Sequence, residues 1–255
     1  MTDNTKNFSG RAEDYTVGRP TYAKEFIDYL YSVENLSENS IIADIGSGTG
    51  KFAKQLLEKG STVFCVEPND DMRNVAVKEL QDYAKFVAVA GSASDTTLEE
   101  ETIDVITTAQ AFHWFDVEAF QKECKRILKP NGKAVLIWNM RDMTAKVNEE
   151  SYAIYKKFCP QFKGFGGGIE KDDARIKKFF SDKYESVVFN NPLFYDKEKF
   201  IRRSLSGSYS LKEGDIQYQE YIDALENLFD KYAVDGMLEM PNQTIAYIGI
   251  LEKTS

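Results

Sequence analysis

Short apolar segments alternate with stretches in which apolar residues recur every three or four positions along the first part of the chain. The short segments predict strands, and the recurring spacing predicts amphipathic helices. Predicted strands lie at 41–45, 62–67, 85–91, 104–110 and 133–138. Predicted helices lie at 21–33, 51–59, 70–82 and 116–128. This alternation favours a parallel sheet covered by helices on both faces.

The pattern changes after Trp138. Residues 143–182 begin with a helical aromatic stretch and continue into a glycine-rich loop, in which Gly166–Gly168 form either a moving lid or a tolerated surface insertion. Gly60 and the Pro130-Asn131-Gly132 run are predicted helix stops. The remaining predicted elements are strands at 184–190 and 243–251 and helices at 197–206 and 215–232.

The stretch with the clearest chemistry is Ile41–Gly50, where an apolar strand leads into three glycines at alternate positions. Glycine has no Cβ, so these residues allow the backbone to turn sharply and approach a ligand closely. Glu67 ends the next predicted strand, where a carboxylate can accept hydrogen bonds from both hydroxyls of a ribose. The order of strand, glycine loop, helix, strand and acid predicts a site for an adenosine-bearing cofactor.

The spacing of the glycines separates two classes of cofactor. The dinucleotide fingerprint has its third glycine three positions after the second, where this chain has Lys51. Asp44, two residues before the first glycine, would repel a pyrophosphate. The same carboxylate suits a ligand that carries an ammonium group and no phosphate, such as S-adenosylmethionine (SAM).

Five motifs occur here in the order typical of class I SAM-dependent methyltransferases, and the chain resembles that family over roughly its first 140 residues. The motifs are Asp44–Gly50, Val66–Asn69 with Met72, Gly91–Ser94, Asp104–Asp116 and Arg126–Trp138. The resemblance implies an α/β, Rossmann-like three-layer sandwich. Its sheet would have seven mostly parallel strands, with an antiparallel last strand, and the fold would carry helical lid insertions.

The resemblance also implies one methyltransferase domain over residues 1–255. Its expected parts are an N-terminal cofactor cover at 1–35, a SAM-binding core at 36–142, and substrate lid elements at 143–182 and 195–240. Residues 8–22 resemble the Y-x-x-x-R-P-x-Y segment of small-molecule (type 11) methyltransferases related to trans-aconitate methyltransferase. In that segment Arg19 suits the SAM carboxylate, and Tyr15 and Tyr22 suit a sulfonium site. Alternatively, Arg19 makes a structural ion pair and the tyrosines fill the end of the sheet.

Residues implied by the resemblance to contact the cofactor are spread over the five motifs and the N-terminal segment. They are Tyr15, Arg19, Asp44, Gly46, Ser47, Gly48, Gly50, Glu67, Pro68, Asn69, Met72, Ser92, Ala93, Ala109 and Gln110. Met72 suits a purine face but equally suits a helix core. Many relatives have an acid beside the alanine that matches Ala93, whereas this chain has serines on both sides.

The fourth predicted strand ends at the methyl donor's side of the sheet, because ligands of open parallel sheets bind beyond the carboxyl ends of the strands. We therefore expect a substrate pocket lined by Tyr22, Phe112, His113 and Trp114. A carboxylate acceptor needs no base, whereas a phenol or an amine would benefit from His113 as a catalytic base. Alternatively, His113 is structural. Arg202 or Arg203 would suit a carboxylic acid substrate as a clamp.

Composition narrows the classes of partner. The net charge of −9 disfavours nucleic acid, which requires a concentrated positive face, and no apolar run is long enough to span a membrane. Three widely spaced cysteines fit a reduced, cytoplasmic protein and predict neither disulfides nor a metal site. The sequence predicts an enzyme that methylates a small molecule, at oxygen, with a carboxylate as one candidate. The alternatives are a methyltransferase for protein or nucleic acid, a non-catalytic SAM-binding regulator and, least favoured, a dehydrogenase.

Overall fold

A computed structural model describes residues 20–165, 173–207 and 209–252. These residues divide into two compact units, which we call the sheet unit and the helical unit. The sheet unit comprises described residues in 20–138, 173–189 and 244–252. The helical unit comprises described residues in 139–165, 190–207 and 209–243. Tyr15, Arg19 and Gly166–Gly168, for which the sequence made predictions, lie outside the described residues.

A seven-stranded, mostly parallel sheet with one antiparallel strand confirms the predicted fold class. The strand order is β3-β2-β1-β4-β5-β9-β6. The strands are β1 (Ile41–Ile45), β2 (Thr62–Val66), β3 (Phe86–Val89), β4 (Ile103–Ala109), β5 (Leu128–Arg141), β6 (Glu185–Asn190) and β9 (Asn242–Ile250). Ile42, on the central strand β1, pairs with Val63 of β2 on one side and Val105 of β4 on the other. Its side chain is completely buried, as the continuous apolar sequence of β1 requires in a sheet covered on both faces.

The helices of the sheet unit follow the predicted alternation. They are α1 (Lys24–Ser32), α2 (Lys51–Leu57), α3 (Asp70–Leu80), α4 (Val117–Ile127) and α6 (Ala174–Phe180). Three of them begin at side-chain caps, and at the start of α6 the Asp173 side chain accepts a hydrogen bond from the Arg175 amide. The Asn69 side chain accepts a hydrogen bond from the Met72 amide at the start of α3, and Asp116 accepts from the Glu118 and Ala119 amides at the start of α4.

The helical unit contains α5 (Lys146–Phe158), α7 (Lys197–Leu205) and α8 (Tyr218–Tyr232). An antiparallel pair, β7 (Leu193–Tyr195) with β8 (Leu238–Met240), completes it. These two strands are too short to give an alternating pattern, and the sequence did not predict them. The buried residues of this unit form their own core: Val147, Tyr155, Phe158, Cys159, Phe162, Phe200, Tyr221, Leu225, Leu228, Phe229, Leu238 and Met240.

Two expectations from the sequence differ from the structure. Pro130-Asn131-Gly132 does not end a helix: α4 ends at Ile127, and β5 runs through the three residues. A register shift opposite Ile103 and Val105, with Asn131 at a φ of 66°, accommodates them within the strand. Helix α6 belongs to the sheet unit, although the sequence assigned residues up to 182 to a lid, because Phe179 stacks on Phe120 at 5.1 Å.

Within the part of the chain that the structure describes, no helix is both long enough and apolar enough to cross a bilayer.

Candidate functional site

The glycine loop is fastened to the end of β2. The amides of Gly46 and Ser47 donate to the Val66 carbonyl at 2.9 and 3.2 Å, and the Gly50 amide donates to the Ser47 carbonyl at 2.9 Å. Gly46, Gly48 and Gly50 have φ values of 70°, 56° and 76°, in the left-handed region that favours glycine. The loop therefore turns between β1 and α2 in a conformation that few other residues adopt without strain.

The three glycines are required for different reasons. A Cβ at Gly46 would lie 2.7 Å from the Ala111 Cβ, and one at Gly50 would lie 2.5 Å from the Leu80 Cδ1. A Cβ at Gly48 would meet nothing within 4 Å. Gly46 and Gly50 thus permit close packing inside the protein, whereas Gly48 borders open space into which a ligand can approach the backbone.

We expect Gly46→Ala and Gly48→Ala to affect different properties. Gly48→Ala should lower the free energy of unfolding by only about 1–2 kcal/mol, the cost of a left-handed alanine. It should nevertheless weaken binding of S-adenosylhomocysteine by more than about tenfold, because the methyl group occupies the ligand's space. Gly46→Ala adds overpacking of about 1–3 kcal/mol. Urea unfolding measures the loss of stability, and calorimetry measures the binding of S-adenosylhomocysteine. Equal stability losses in the two variants would contradict the different roles of Gly46 and Gly48.

Glu67 lies directly after β2 and is held by two backbone donors. Its Oε2 accepts from the Gly48 amide and its Oε1 from the Asn69 amide, both at 2.9 Å. Burial raises the pKa of Glu67, while the hydrogen bonds from Asn69 and Gly48 act to lower it. Each carboxylate oxygen keeps a second lone pair, so the fixed carboxylate can still accept two further hydrogen bonds, such as those from a ribose.

Asp44 is 1% exposed and lies in the middle of the sheet. Its Oδ1 accepts from the Thr107 hydroxyl at 2.8 Å, but its Oδ2 has no hydrogen-bond partner among the described residues. Burial raises the pKa of Asp44 to about 7, and the nearby charge of Glu67 adds to the increase. A buried carboxylate oxygen without a donor is costly, and a cationic or donating ligand would relieve that cost.

Together these two acids test which cofactor the loop fits. Each has a pKa raised above its ordinary value, so the site is electrostatically unfavourable for further negative charge. A pyrophosphate would increase that repulsion. The ammonium and sulfonium groups of SAM would reduce it, and the open space beside Gly48 admits a ligand. The residues present therefore fit SAM.

The residues expected near the adenine gather around the start of α3 and the end of β3. Met72 is 3% exposed, and its amide is tied to the cap residue Asn69. Ser92 is fixed by the hydrogen bond from its amide to the Asp95 carbonyl at 2.8 Å, while Ala93 is only partly buried. The structure thus brings Glu67, Pro68 and Asn69 together at the end of β2, next to the cap of α3.

The segment after β4 carries the residues expected at the reacting end. Gln110 adopts a φ of 57° and donates its amide to the Ile137 carbonyl at 2.9 Å, which redirects the chain immediately after Ala109. A short 3-10 helix follows at Phe112–Trp114. His113 is partly buried with its ring 4.9 Å from that of Trp114, and Trp114 is 47% exposed. The side chains of His113 and Trp114 are therefore accessible to a substrate.

Two residues predicted to line the substrate pocket lie instead in the core of the sheet unit. Phe112 is 1% exposed and packs against Trp138 and Phe179, with ring centroids 6.1 and 5.3 Å apart. Tyr22 is 8% exposed and packs edge-on against Phe52, with the ring centroids 4.9 Å apart. Its backbone amide donates to the Gln55 side-chain oxygen, and its carbonyl accepts from the Gln55 side-chain nitrogen. An aromatic ring surrounded by other side chains in this way has little surface left for a substrate.

Sequence reasoning missed Thr107, the residue that orients Asp44. The signal was present, because two threonines interrupt the apolar sequence of β4 and a buried hydroxyl needs a partner. Cys65, Cys124 and Cys159 are all buried and unbridged. Among the described residues, no cluster of three or more His, Cys, Asp or Glu side chains could hold a metal ion.

Comparison with known proteins agrees with this geometry. Residues 43–136 match the family profile described as a methyltransferase domain. An uncharacterized methyltransferase-like protein of Schizosaccharomyces pombe is 36% identical over 161 residues, which cover 62% of this chain and 62% of that protein. An uncharacterized methyltransferase of Mycobacterium tuberculosis is 34% identical over 140 residues, 55% of each. The matches thus span less than two-thirds of the length of these relatives.

Solved structures share the fold at lower identity. A protein described as a type II methyltransferase from Anaeromyxobacter dehalogenans superposes with a TM-score of 0.66 at 17% identity, covering 92% of this chain and 99% of that one. The YcgJ protein of Bacillus subtilis gives a TM-score of 0.58 at 18% identity, covering 91% and 100%. The chain therefore shares the Rossmann-like fold of these proteins. Within that fold, residues 43–136 are similar to the methyltransferase-domain profile.

Proposed function

We propose that this protein is a SAM-dependent methyltransferase that acts on a small-molecule acceptor, at an oxygen atom. One observation carries the cofactor assignment: the buried Oδ2 of Asp44 has no donor among the described residues and lies in the field of a second buried acid, Glu67. A cationic ligand supplies what this pair lacks. A geranyl diphosphate methyltransferase in complex with SAM shares the fold with a TM-score of 0.50.

The chain's own residues would divide the binding of SAM between them. Glu67 would accept hydrogen bonds from the ribose hydroxyls, because Gly48 and Asn69 already fix its orientation. Asp44 would face the ammonium group, and Gly48 would let the ligand approach the loop. Pro68, Met72 and Ala93 would surround the adenine. When bound, SAM supplies an electrophilic methyl group on its sulfonium.

At the reacting end, His113 and Trp114 would form the wall that excludes water and aligns the acceptor. Methyl transfer gains most from proximity and alignment, so an apolar wall supplies much of what the reaction needs. With a carboxylate acceptor no proton has to be removed. With a phenol or an amine, the His113 imidazole would accept the proton as the bond to the methyl group forms.

The charge of the chain supports a small acceptor over nucleic acid. The net charge of −9 opposes binding to nucleic acid, whose phosphates require a concentrated positive surface.

Calorimetry and a transfer assay test the proposal together. We expect SAM and S-adenosylhomocysteine to bind, whereas NAD produces no thermal shift. With methyl-labelled SAM and a cell extract, we expect label in the small-molecule fraction. Label in protein or nucleic acid would contradict the proposed acceptor class. SAM binding without any S-adenosylhomocysteine formed would instead indicate a non-catalytic regulator, and NAD binding would revive a dehydrogenase.

His113→Gln separates the two roles of the histidine in the same assay. At saturating SAM, we expect turnover to fall by about 100-fold or more if the acceptor loses a proton, in the range of a lost general base. Trp114→Phe is the matched control, because it changes the neighbouring wall residue without removing a base. Unchanged turnover in His113→Gln would assign the histidine to the wall.

A further inference from the structure

A guanidinium without an acid lies in the helical unit. Arg141 is partly buried, and its Nη1 donates to the Ser151 hydroxyl at 3.0 Å. Its guanidinium carbon lies 3.8 Å from the centroid of the Phe165 ring. Within the described part of the chain this is its only hydrogen bond, although a guanidinium has five N–H donors.

Three other arginines of the described residues pair with acids. Arg73, Arg126 and Arg175 each pair with a carboxylate three residues away or closer. Among the described residues, the groups with the largest electrostatic effects on Arg141 are the Tyr155, Tyr209 and Tyr195 phenols and the Arg203 guanidinium, none of which is a carboxylate. Burial lowers the pKa of Arg141, as desolvation of an uncompensated cation must. A bound anion would compensate this charge.

The surroundings of Arg141 have the form of a small binding site. Ser151 and Tyr155 lie four residues apart on α5 and so share one face of that helix. The Tyr155 ring stands edge-on to Phe165 and to Tyr209, at 5.5 and 5.6 Å. Burial raises the pKa of Tyr209 to about 12, so its phenol stays protonated and able to donate.

The free donors of this cluster are accessible. The buried side-chain atoms without a hydrogen bond, among the described residues, include neither a guanidinium nitrogen of Arg141 nor the hydroxyls of Tyr155 and Tyr209. Neither phenol donates to a described residue, but Tyr155 is 2% exposed and belongs to the core, whereas Tyr209 is only partly buried. Arg141 and Tyr209 therefore present a planar cation and a neutral donor beside aromatic faces.

We propose that Arg141, with the Tyr209 hydroxyl, binds the carboxylate group of a small organic acid. The guanidinium fork matches the two oxygens of a carboxylate. The aromatic walls and the neutral phenol favour a monoanion, because a phosphate dianion loses more hydration when it is buried. The proposed ligand is thus a carboxylic acid with an apolar or aromatic body.

The test compares acids with their uncharged amides. Benzoate, phenylacetate and 4-phenylbutyrate are titrated by calorimetry against benzamide, phenylacetamide and 4-phenylbutyramide, with and without S-adenosylhomocysteine. For wild type we expect at least one acid to bind at least about tenfold more tightly than its amide. Arg141→Gln should abolish this preference, and Arg141→Lys, which keeps the charge without the fork, should retain only part of it. Lys156→Gln, which removes an exposed cation of α5, should behave as wild type.

Several outcomes would overturn the proposal. It fails if no acid is preferred over its amide in wild type, or if a folded Arg141→Gln or Arg141→Lys keeps the full preference. It also fails if phenyl phosphate binds more tightly than every carboxylate. The double variant Glu170→Gln, Asp172→Asn removes two acids that lie outside the described residues. A gain of about tenfold or more in its binding of acids would show that the chain itself supplies the anion for Arg141. Failure of S-adenosylhomocysteine to bind would instead remove the proposed function, whatever the acids do.

Discussion

Asp44→Asn is expected to abolish measurable SAM binding while making the free protein more stable at neutral and alkaline pH. The carboxylate is buried, one of its oxygens lacks a donor, and its pKa is raised to about 7. Because the folded form holds its proton up to about pH 7 and the unfolded form only up to 3.8, the folded form binds more protons between these values. Stability contributed by this proton is therefore lost as pH rises through that window.

The size of the stability gain follows from the same shift. A shift of about three pKa units corresponds to about 4 kcal/mol at pH values above the folded pKa. An asparagine amide in the same place leaves N–H groups without an acceptor, which costs about 1–3 kcal/mol. We expect a net gain in the free energy of unfolding of about 1–3 kcal/mol at about pH 8. Near pH 4 only the cost of the amide remains, and we expect a net loss of about 1–3 kcal/mol.

Urea unfolding across this pH range and calorimetry with SAM measure the two effects. Asp82→Asn is the matched control, because Asp82 is exposed. In wild type, SAM affinity should also rise as pH increases toward 7, by up to about tenfold per unit, since the ammonium requires the ionised carboxylate. Loss of stability in Asp44→Asn at pH 8, or SAM binding equal to wild type, would show that Asp44 does not face the ligand.

Glu67→Ala is expected to weaken SAM binding by about 1–3 kcal/mol, the range for hydrogen bonds to a charged group. The free energy of unfolding should fall by a comparable amount, because the Gly48 and Asn69 amides lose their common acceptor. Glu67→Gln retains one acceptor oxygen and should fall between the alanine variant and wild type. Thermal unfolding and calorimetry separate the two losses.

A ligand variant isolates the ribose contact from the loss of loop order. Wild type should bind the 2′-deoxy analogue of S-adenosylhomocysteine more weakly than S-adenosylhomocysteine. Glu67→Ala should bind the two ligands with equal affinity. This double-mutant cycle reports the coupling between the hydroxyl and the carboxylate alone. Glu79→Ala, at an exposed position of α3, is the control and should keep the discrimination. The same discrimination in Glu67→Ala would place the ribose elsewhere.

Much of the sheet unit could be predicted because its signals are local. The buried strand β1 and the glycine loop were located from runs of adjacent residues, and the structure places β1 at 41–45, within the predicted bounds. Helices α3 and α4 begin at Asp70 and Val117, within one residue of the predicted starts at 70 and 116, because their caps act over a few residues. The seven-stranded, mostly parallel sheet followed from the alternation and from the resemblance of the motifs.

Contacts between distant parts of the chain explain what the sequence did not reveal. The sequence predicted that Phe112 lines the pocket beside His113, but its ring packs against Phe179, which is distant in the sequence. Thr107 reaches Asp44 only because β4 pairs with β1. Strands β7 and β8 have three residues each, and only their pairing across more than forty positions of sequence makes them a sheet.

By itself, the sequence determined the order of strands and helices, the glycine loop and the two acids that suit a cationic nucleoside, since these depend on local periodicity and residue chemistry. Only the tertiary structure decided that Asp44 is buried beside Glu67 with an oxygen that no described residue pairs. It also decided that the described neighbours of Arg141 are aromatic and not acidic. Burial and the pairing of charges depend on which distant residues fold against a side chain, and no local pattern contains that information.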